Sequence, residues 1–171
     1  MIIAKDGEVA IRELKESDIP ELAEYANNKK VSMNLRDGFP SPYTTNDAEK
    51  FLELVSRQNP KTYLAIEYQG CYVGNISLLV GSDVYRKGAE IGYFLGEPFW
   101  NKGIATKAVK LITKWGFENL DIVWIYTGVF EFNKASLRVL EKCGFEKEAI
   151  SRKAIFKNGQ FYDEIRYALI K

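Results

Sequence analysis

Trp100-Asn101-Lys102-Gly103-Ile104-Ala105-Thr106 opens an amphipathic run directly after a strand-like one, Ile91 to Leu95, and this junction decides how the chain is read. Where a helix begins, several backbone N–H groups lack intrahelical acceptors and, together with the macrodipole, favour an anion. Gly103 lets a ligand come close to the backbone, and Ala105 keeps the next turn small. Thr106 adds a hydroxyl donor and Lys102 a charge. The stretch reads as a phosphate cradle running from Trp100 and Asn101 through Ile104 to Thr106. Its spacing is neither that of a Walker loop nor that of a dinucleotide G-x-G-x-x-G turn. The same residues also suit the start of an ordinary surface helix after a loop.

Working outward, Ile104, Ala108, Leu111, Ile112 and Trp115 recur at helical spacing. Ile122 to Phe130 alternates and is rich in β-formers, and Asn133 to Lys142 is the next helix. Upstream, Thr62–Tyr68 and Tyr72–Val80 flank a Gln69-Gly70 turn as an antiparallel hairpin, and a strand follows near Ala89 to Leu95. Val9 to Glu13 reads as the first strand. Ser17 is expected to cap a helix reaching about Asn28, with Ile19, Leu22, Ala23 and Ala26 on one face. Gly38, Pro40 and Pro42 then mark a long loop, expected to be exposed, before Thr44 caps a second helix bearing Ala48, Phe51, Leu52 and Val55. Asn158-Gly159 turns a final hairpin. No repeat, low-complexity tract or linker divides residues 1–171, so one α/β (α+β) domain is expected.

The junction and a second segment together resemble the GNAT superfamily of acetyl-CoA-dependent N-acetyltransferases. Its signature Q/R-x-x-G-x-G/A maps onto Trp100, Gly103 and Ala105, departing at Trp100, where an aromatic is common in the branch resembling ribosomal-protein N-terminal acetyltransferases. The second segment, Asn133-Lys134-Ala135-Ser136-Leu137-Arg138-Val139-Leu140-Glu141-Lys142-Cys143-Gly144-Phe145, is similar to that branch's N-x-A-S-x-R-V-L-E-K-x-G-F helix. Asn34 to Thr44 also resembles a loop of part of the branch.

The resemblance implies a mixed, mostly antiparallel sheet with splayed central strands, flanked by about four helices. The wedge is expected between Ile91–Leu95 and Ile122–Phe130. There backbone groups near Phe94, Leu95 and Gly96 would hydrogen-bond the pantetheine arm of acetyl-CoA as an added strand would. Alternating Phe94 and Leu95 side chains equally suit a core strand. Asn133 suits an ordinary helix cap from its residue type, while the resemblance makes it a cofactor contact, with Ser136 near the coenzyme.

Acetyl transfer from a thioester to an amine needs a base, because an alkylamine is mostly protonated near neutrality. Glu90, just before the cofactor strand, is the candidate, with an exposed strand-end glutamate as the plain alternative and Asp37 as runner-up. A backbone N–H near Leu95 suits the developing oxyanion, and Ser136 the departing thiolate. Many relatives carry a tyrosine acid on this helix, but the alignment on Gly144-Phe145 puts Leu140 there.

The chain contains no histidine, which removes Ser-His-Asp and Cys-His nucleophile systems and His-based zinc motifs. Cys71 and Cys143, the only cysteines, offer no metal cage and suggest a reduced pair, with Cys143 in the core. No metal is expected. With 24 basic and 23 acidic residues the formal charge is +1, which argues against a nucleic-acid partner. No secretory signal or membrane-length apolar run is evident, so cytoplasmic residence is the default. The acceptor is an amine. The resemblance favours a protein or peptide N-terminus, while a polyamine, amino sugar or amino acid offers the same nucleophile, and a noncatalytic acyl-CoA sensor is the rival from another class. Arg36 and Asp37 are candidate polar contacts to the acceptor, and Phe39 and Tyr43 its walls. Tyr162 and Asp163 could border the same site, and the aromatic-rich final hairpin could pair with a second copy as a homodimer.

Overall fold

Alternation of apolar residues sets the strands, and their pairing makes one open mixed sheet. A computed structural model describes residues 1–171. In chain order the elements are β1 (Ile2–Asp6), β2 (Val9–Arg12), α1 (Ile19–Ala26), α2 (Lys29–Ser32), α3 (Thr45–Ser56), β3 (Tyr63–Tyr68), β4 (Cys71–Val80), β5 (Gly88–Leu95), α4 (Ile104–Asn119), β6 (Trp124–Phe130), α5 (Lys134–Lys142), β7 (Glu146–Lys157) and β8 (Gln160–Ile170). The sheet order is β1-β2-β3-β4-β5-β6-β8-β7, antiparallel except where β5 meets β6. The Gln69-Gly70 and Asn158-Gly159 turns both place two residues at positive φ, the geometry that two-residue hairpins need.

The two sheet faces carry separate cores. Ile11, Leu64, Ile66, Ile76, Leu78, Ile91 and Ile125 point toward α4 and α5, where Ile104, Ala108, Ile112 and Leu140 cover them. Ala65 and Tyr72 face the other way, under Leu22 and Ala26 of α1 and Ala48 of α3. The stripe Ile104, Ala108 and Ile112 is buried as its spacing requires.

The N-terminal third departs from the expectations. The first strand is Ile2–Asp6, so Val9–Arg12 is the second, and α2 adds a fifth helix. Ser17 does not cap α1, because residues Glu16–Asp18 form a 3₁₀ turn. Asp18 organises this entry instead. Its carboxylate accepts from the Lys15 N–H at 2.8 Å and forms a bidentate pair with Arg12, at 2.7 and 2.8 Å. Arg12 is 3% exposed and also donates through Nε to Glu67 of β3 at 2.5 Å. Burial tends to lower the guanidinium's pKa, but the hydrogen bonds to Asp18 and Glu67 outweigh it and raise the value above the usual one. The long loop is not exposed throughout: Tyr43 is buried, and burial pushes its phenol up to about 12.

Thr44 caps α3 as expected. Asp47 completes the box by accepting from the Thr44 hydroxyl at 2.6 Å and the Thr44 N–H at 2.8 Å.

Two outcomes follow from these contacts. Asp18→Ala leaves the buried Arg12 short of its bidentate partner and should lower unfolding free energy by about 3 kcal/mol, read as a reduced urea midpoint at constant m. The Thr44 hydrogen bonds hold the Asp47 carboxyl below its ordinary range. Its contribution is therefore full above the unfolded value and disappears as pH falls through the lower folded one. Asp47→Asn should flatten that acid-side loss in a pH series of melting curves.

Candidate active site

Parallel pairing between β5 and β6 lasts for only three residue pairs, Gly88 with Trp124, Ala89 with Ile125 and Glu90 with Tyr126. Beyond Glu90 the strands part, yet β5 stays paired to β4 as far as Leu95 and β6 to β8 as far as Phe130. The wedge expected between these strands is present, with Glu90 at its vertex. It belongs to a cleft of about 1400 Å³ that continues between the N-termini of α4 and α5 on one side and the loop after α2 on the other.

Strand parity assigns the backbone groups. Gly81 donates to Gly88 O and Gly96 to Val73 O, each at 2.9 Å, so even-numbered residues of β5 spend their amides on β4. Ile91, Tyr93 and Leu95 therefore turn their backbone groups to the open side. This corrects the expectation for Phe94 and Gly96, whose amides face β4. Gly96 also lies outside the cleft lining, against the Tyr25 ring. The Leu95 carbonyl accepts from the Trp100 indole N–H at 2.9 Å, which fastens the strand end to the turn before α4.

That turn has the shape of an anion cradle. Asn101 and Gly103 both have positive φ, 61° and 75°, and no side chain caps α4, so its first amides are left for a ligand. Trp100, Asn101, Gly103, Ile104, Ala105 and Thr106 line the cleft. Lys102 does not; its ammonium sits 5.5 Å from the centre of the Phe99 ring. Asn133 acts as the cap of α5, accepting from the Ser136 N–H at 3.2 Å, and it lines the cleft as well.

Side chains separate by face. Tyr93 points toward α5, where its hydroxyl shares a hydrogen with Ser136 Oγ at 2.7 Å, and burial pushes the phenol well above its usual range. Leu140 is fully buried in the core, so α5 supplies no second hydroxyl at that place. Residue type alone gave no sign of Tyr93, since an alternating aromatic in a strand reads as core. Glu90 and Phe94 point to the opposite face, toward the loop after α2. Arg36 reaches Glu90 Oε1 from that loop; the carboxylate is 23% exposed and the guanidinium 72%. Phe39 stacks edge-on against Phe94 at 5.7 Å and tilts against Tyr43 at 5.0 Å. Four residues chosen from the sequence, Arg36, Phe39, Tyr43 and Glu90, thus meet across one wall.

Asp37 stands apart from Glu90. It pairs at 2.8 Å with Lys157, a buried ammonium at the end of β7 that also donates to Leu35 O at 2.8 Å. Tyr162 and Asp163 do not line the cleft; the Asp163 carboxylate accepts from the Lys153 N–H at 2.8 Å. The cysteines are both free, Cys71 exposed and Cys143 half-buried against the main core. No group of three or more metal-ligating side chains occurs, and no helix is long and apolar enough to cross a membrane.

Comparison with known proteins agrees with this geometry. Residues 8–146 match the model of the acetyltransferase (GNAT) domain. The prophage-derived N-acetyltransferase YokL of Bacillus subtilis (strain 168) is 31% identical over 137 residues, 79% of this chain and 76% of its own length. Spermidine N(1)-acetyltransferase of Escherichia coli (strain K12) is 28% identical over 95% of this chain and 86% of its own. Among solved structures, the ribosomal L7/L12 α-N-protein acetyltransferase RimL in complex with coenzyme A superposes with a TM-score of 0.87 over 99% of this chain and 98% of that one, at 23% identity, a likeness of fold.

The Lys157 tether can be tested alone. Lys157→Met should free the loop from β7, so that the hydrogen-bonded amides of Leu35 and Phe39 exchange with solvent at least about tenfold faster while core amides keep their protection.

Proposed function

The chain belongs to the GNAT acetyltransferase family and is an acetyl-CoA-dependent N-acetyltransferase, and we propose that it acetylates a primary amine by direct attack within the β5–β6 wedge. The observation that carries this reading is Glu90 at the vertex of the wedge, with open backbone amides on one side and the Arg36–Phe39 loop on the other. The residues suit the coenzyme. The uncapped start of α4 and the left-handed Asn101 and Gly103 suit its phosphates, and the open-edge amides of Ile91, Tyr93 and Leu95 suit its amide-bearing arm. Bound there, acetyl-CoA would supply an activated acetyl thioester.

The chain's own groups then divide the work. Glu90 takes a proton from the incoming ammonium, directly or through one water, and leaves a nitrogen lone pair free to attack. The Leu95 N–H faces the open side and donates to the carbonyl oxygen as it gains charge. As the C–N bond forms and the C–S bond breaks, the Ser136 hydroxyl donates to the sulfur. Tyr93, kept protonated by burial, donates in turn to Ser136 Oγ and leaves the serine hydrogen free for that role.

Arg36 holds Glu90 before the acceptor arrives, so an ammonium entering the cleft exchanges with a guanidinium on an exposed, movable side chain. The acceptor half of the cleft is open and bounded by Phe39 and Tyr43, which suits the end of a peptide chain. A protein or peptide N-terminal amine is therefore our first reading of the acceptor. The RimL likeness agrees with it, while the spermidine enzyme among the relatives keeps small amines as the second.

Calorimetry with acetyl-CoA and free CoA, followed by thiol release with peptides, polyamines, amino sugars and amino acids, tests the reading. Micromolar coenzyme binding with amine-dependent release is expected; binding with no release on any amine would support a sensor. Glu90→Gln should lower kcat by about tenfold or more and change its pH profile while coenzyme affinity stays the same. An unchanged rate would remove Glu90 from the proton path.

A further inference from the structure

Beyond Glu90, toward the open end of the wedge, lies a second carboxylate that no step of the transfer uses. Glu164 of β8 is 17% exposed and lines the cleft. It is opposite Phe130 in register, yet its side chain leans over the neighbouring Gly128 of β6. A Cβ on Gly128 would lie 2.3 Å from the Glu164 carboxyl carbon and 2.5 and 2.7 Å from its oxygens. Any larger residue there would displace the carboxylate from this position. Gly128 is two residues beyond Tyr126, the partner of Glu90, so it shares a sheet face with both. Strand spacing puts the Gly128 and Glu90 backbones about 8–9 Å apart, with both carboxylates on the acceptor side.

The protein leaves Glu164 poorly matched. Arg166 Nη1 donates to Oε1 at 3.3 Å, a long contact from a part-exposed side chain, and no protein group donates to Oε2. The other acids that could colour the acceptor half are already engaged: Asp37 by Lys157, and Asp47 by Thr44. A half-buried carboxylate with one loose partner gains most from a second cation.

We infer that Glu164 is a specificity-determining residue, which binds a second cationic group of the acceptor while Glu90 serves the reacting nitrogen. This rests on the transfer reading above and narrows its substrate class to amines that carry another positive charge a short spacer away. A diamine has that chemistry, and so does a peptide N-terminus followed by a basic side chain. An N-terminus followed only by apolar residues would leave Glu164 unmatched.

Matched acceptors separate the sources: putrescine against n-butylamine, and a peptide with lysine second against the same peptide with norleucine second. In each productive pair the dication should show a KM lower by about tenfold or more. Glu164→Gln should abolish that ratio with kcat on the monocation and the Kd for acetyl-CoA unchanged. Gly128→Ala, which pushes the carboxylate aside without neutralising it, should erode the same ratio. Equal KM values within both pairs in the unaltered protein, or a ratio that survives Glu164→Gln, would overturn the inference. If no amine releases thiol, the transfer reading fails by itself. Calorimetric binding of putrescine to the CoA-saturated protein, with and without Glu164→Gln, then decides the role of Glu164 separately, and equal affinities would refute it.

Discussion

Two strands that run parallel for three residue pairs and then part are the constraint on which the rest of this molecule depends. A closed β5–β6 ladder would bury the amides of Ile91, Tyr93 and Leu95 in protein hydrogen bonds. The parting leaves them at an unfilled edge, which is costly in water-poor surroundings unless a ligand or solvent satisfies it. It persists because each strand is held from its outer side, β5 by seven β4 pairs and β6 by seven β8 pairs. Trp100 then ties the carbonyl at the end of β5 to the cradle turn, and Tyr93 bridges from β5 to Ser136 on α5. Positions of the amide edge, the cradle and the serine are thus consequences of one gap.

The two faces of the sheet have different tasks. The α4–α5 face is a mainly aliphatic core that needs no polar group to specify it, and it carries the helix starts that line the cleft. The α1–α3 face is thinner and is specified by polar and aromatic contacts. Arg12, clamped by Asp18 and Glu67, fixes where the chain leaves β2 for α1. Tyr25 of α1 packs edge-on against Phe99 at 5.4 Å and lies over Gly96. Helix α1 is therefore keyed to the same segment that leads into the cradle turn.

What the sequence made legible was whatever is written locally. Gln69-Gly70 and Asn158-Gly159 announce hairpins because few other residue pairs accept two left-handed conformations in succession, and Thr44 with Asp47 announces a helix start. Glu90, Arg36, Phe39 and Tyr43 could be chosen from residue type once the family resemblance had marked the strand and the loop that carry them. β1 escaped notice because Ile2–Asp6 is a half-exposed edge strand without alternation, and α2 because it is a single turn. Ser17 misled because Asp18 is engaged with an arginine brought from β2, a tertiary fact. The backbone expectation holds for Leu95 and fails for its neighbours Phe94 and Gly96, because successive residues of a strand turn their amides to opposite sides. Glu164 over Gly128, and Lys157 against Asp37, join segments 36 and 120 residues apart that no local pattern connects.

The Lys157 contact also bears on how such a chain changes over generations. The loop after α2 is anchored by a buried ammonium at the tip of the last hairpin, while the amide edge and cradle lie in the middle of the sequence. In the proposed function, residues that read the acceptor and residues that run the transfer occupy different stretches of the chain. On the proposed reading, substitution or length change in the loop and the terminal hairpin would reshape the acceptor wall and leave the amide edge and cradle turn in place.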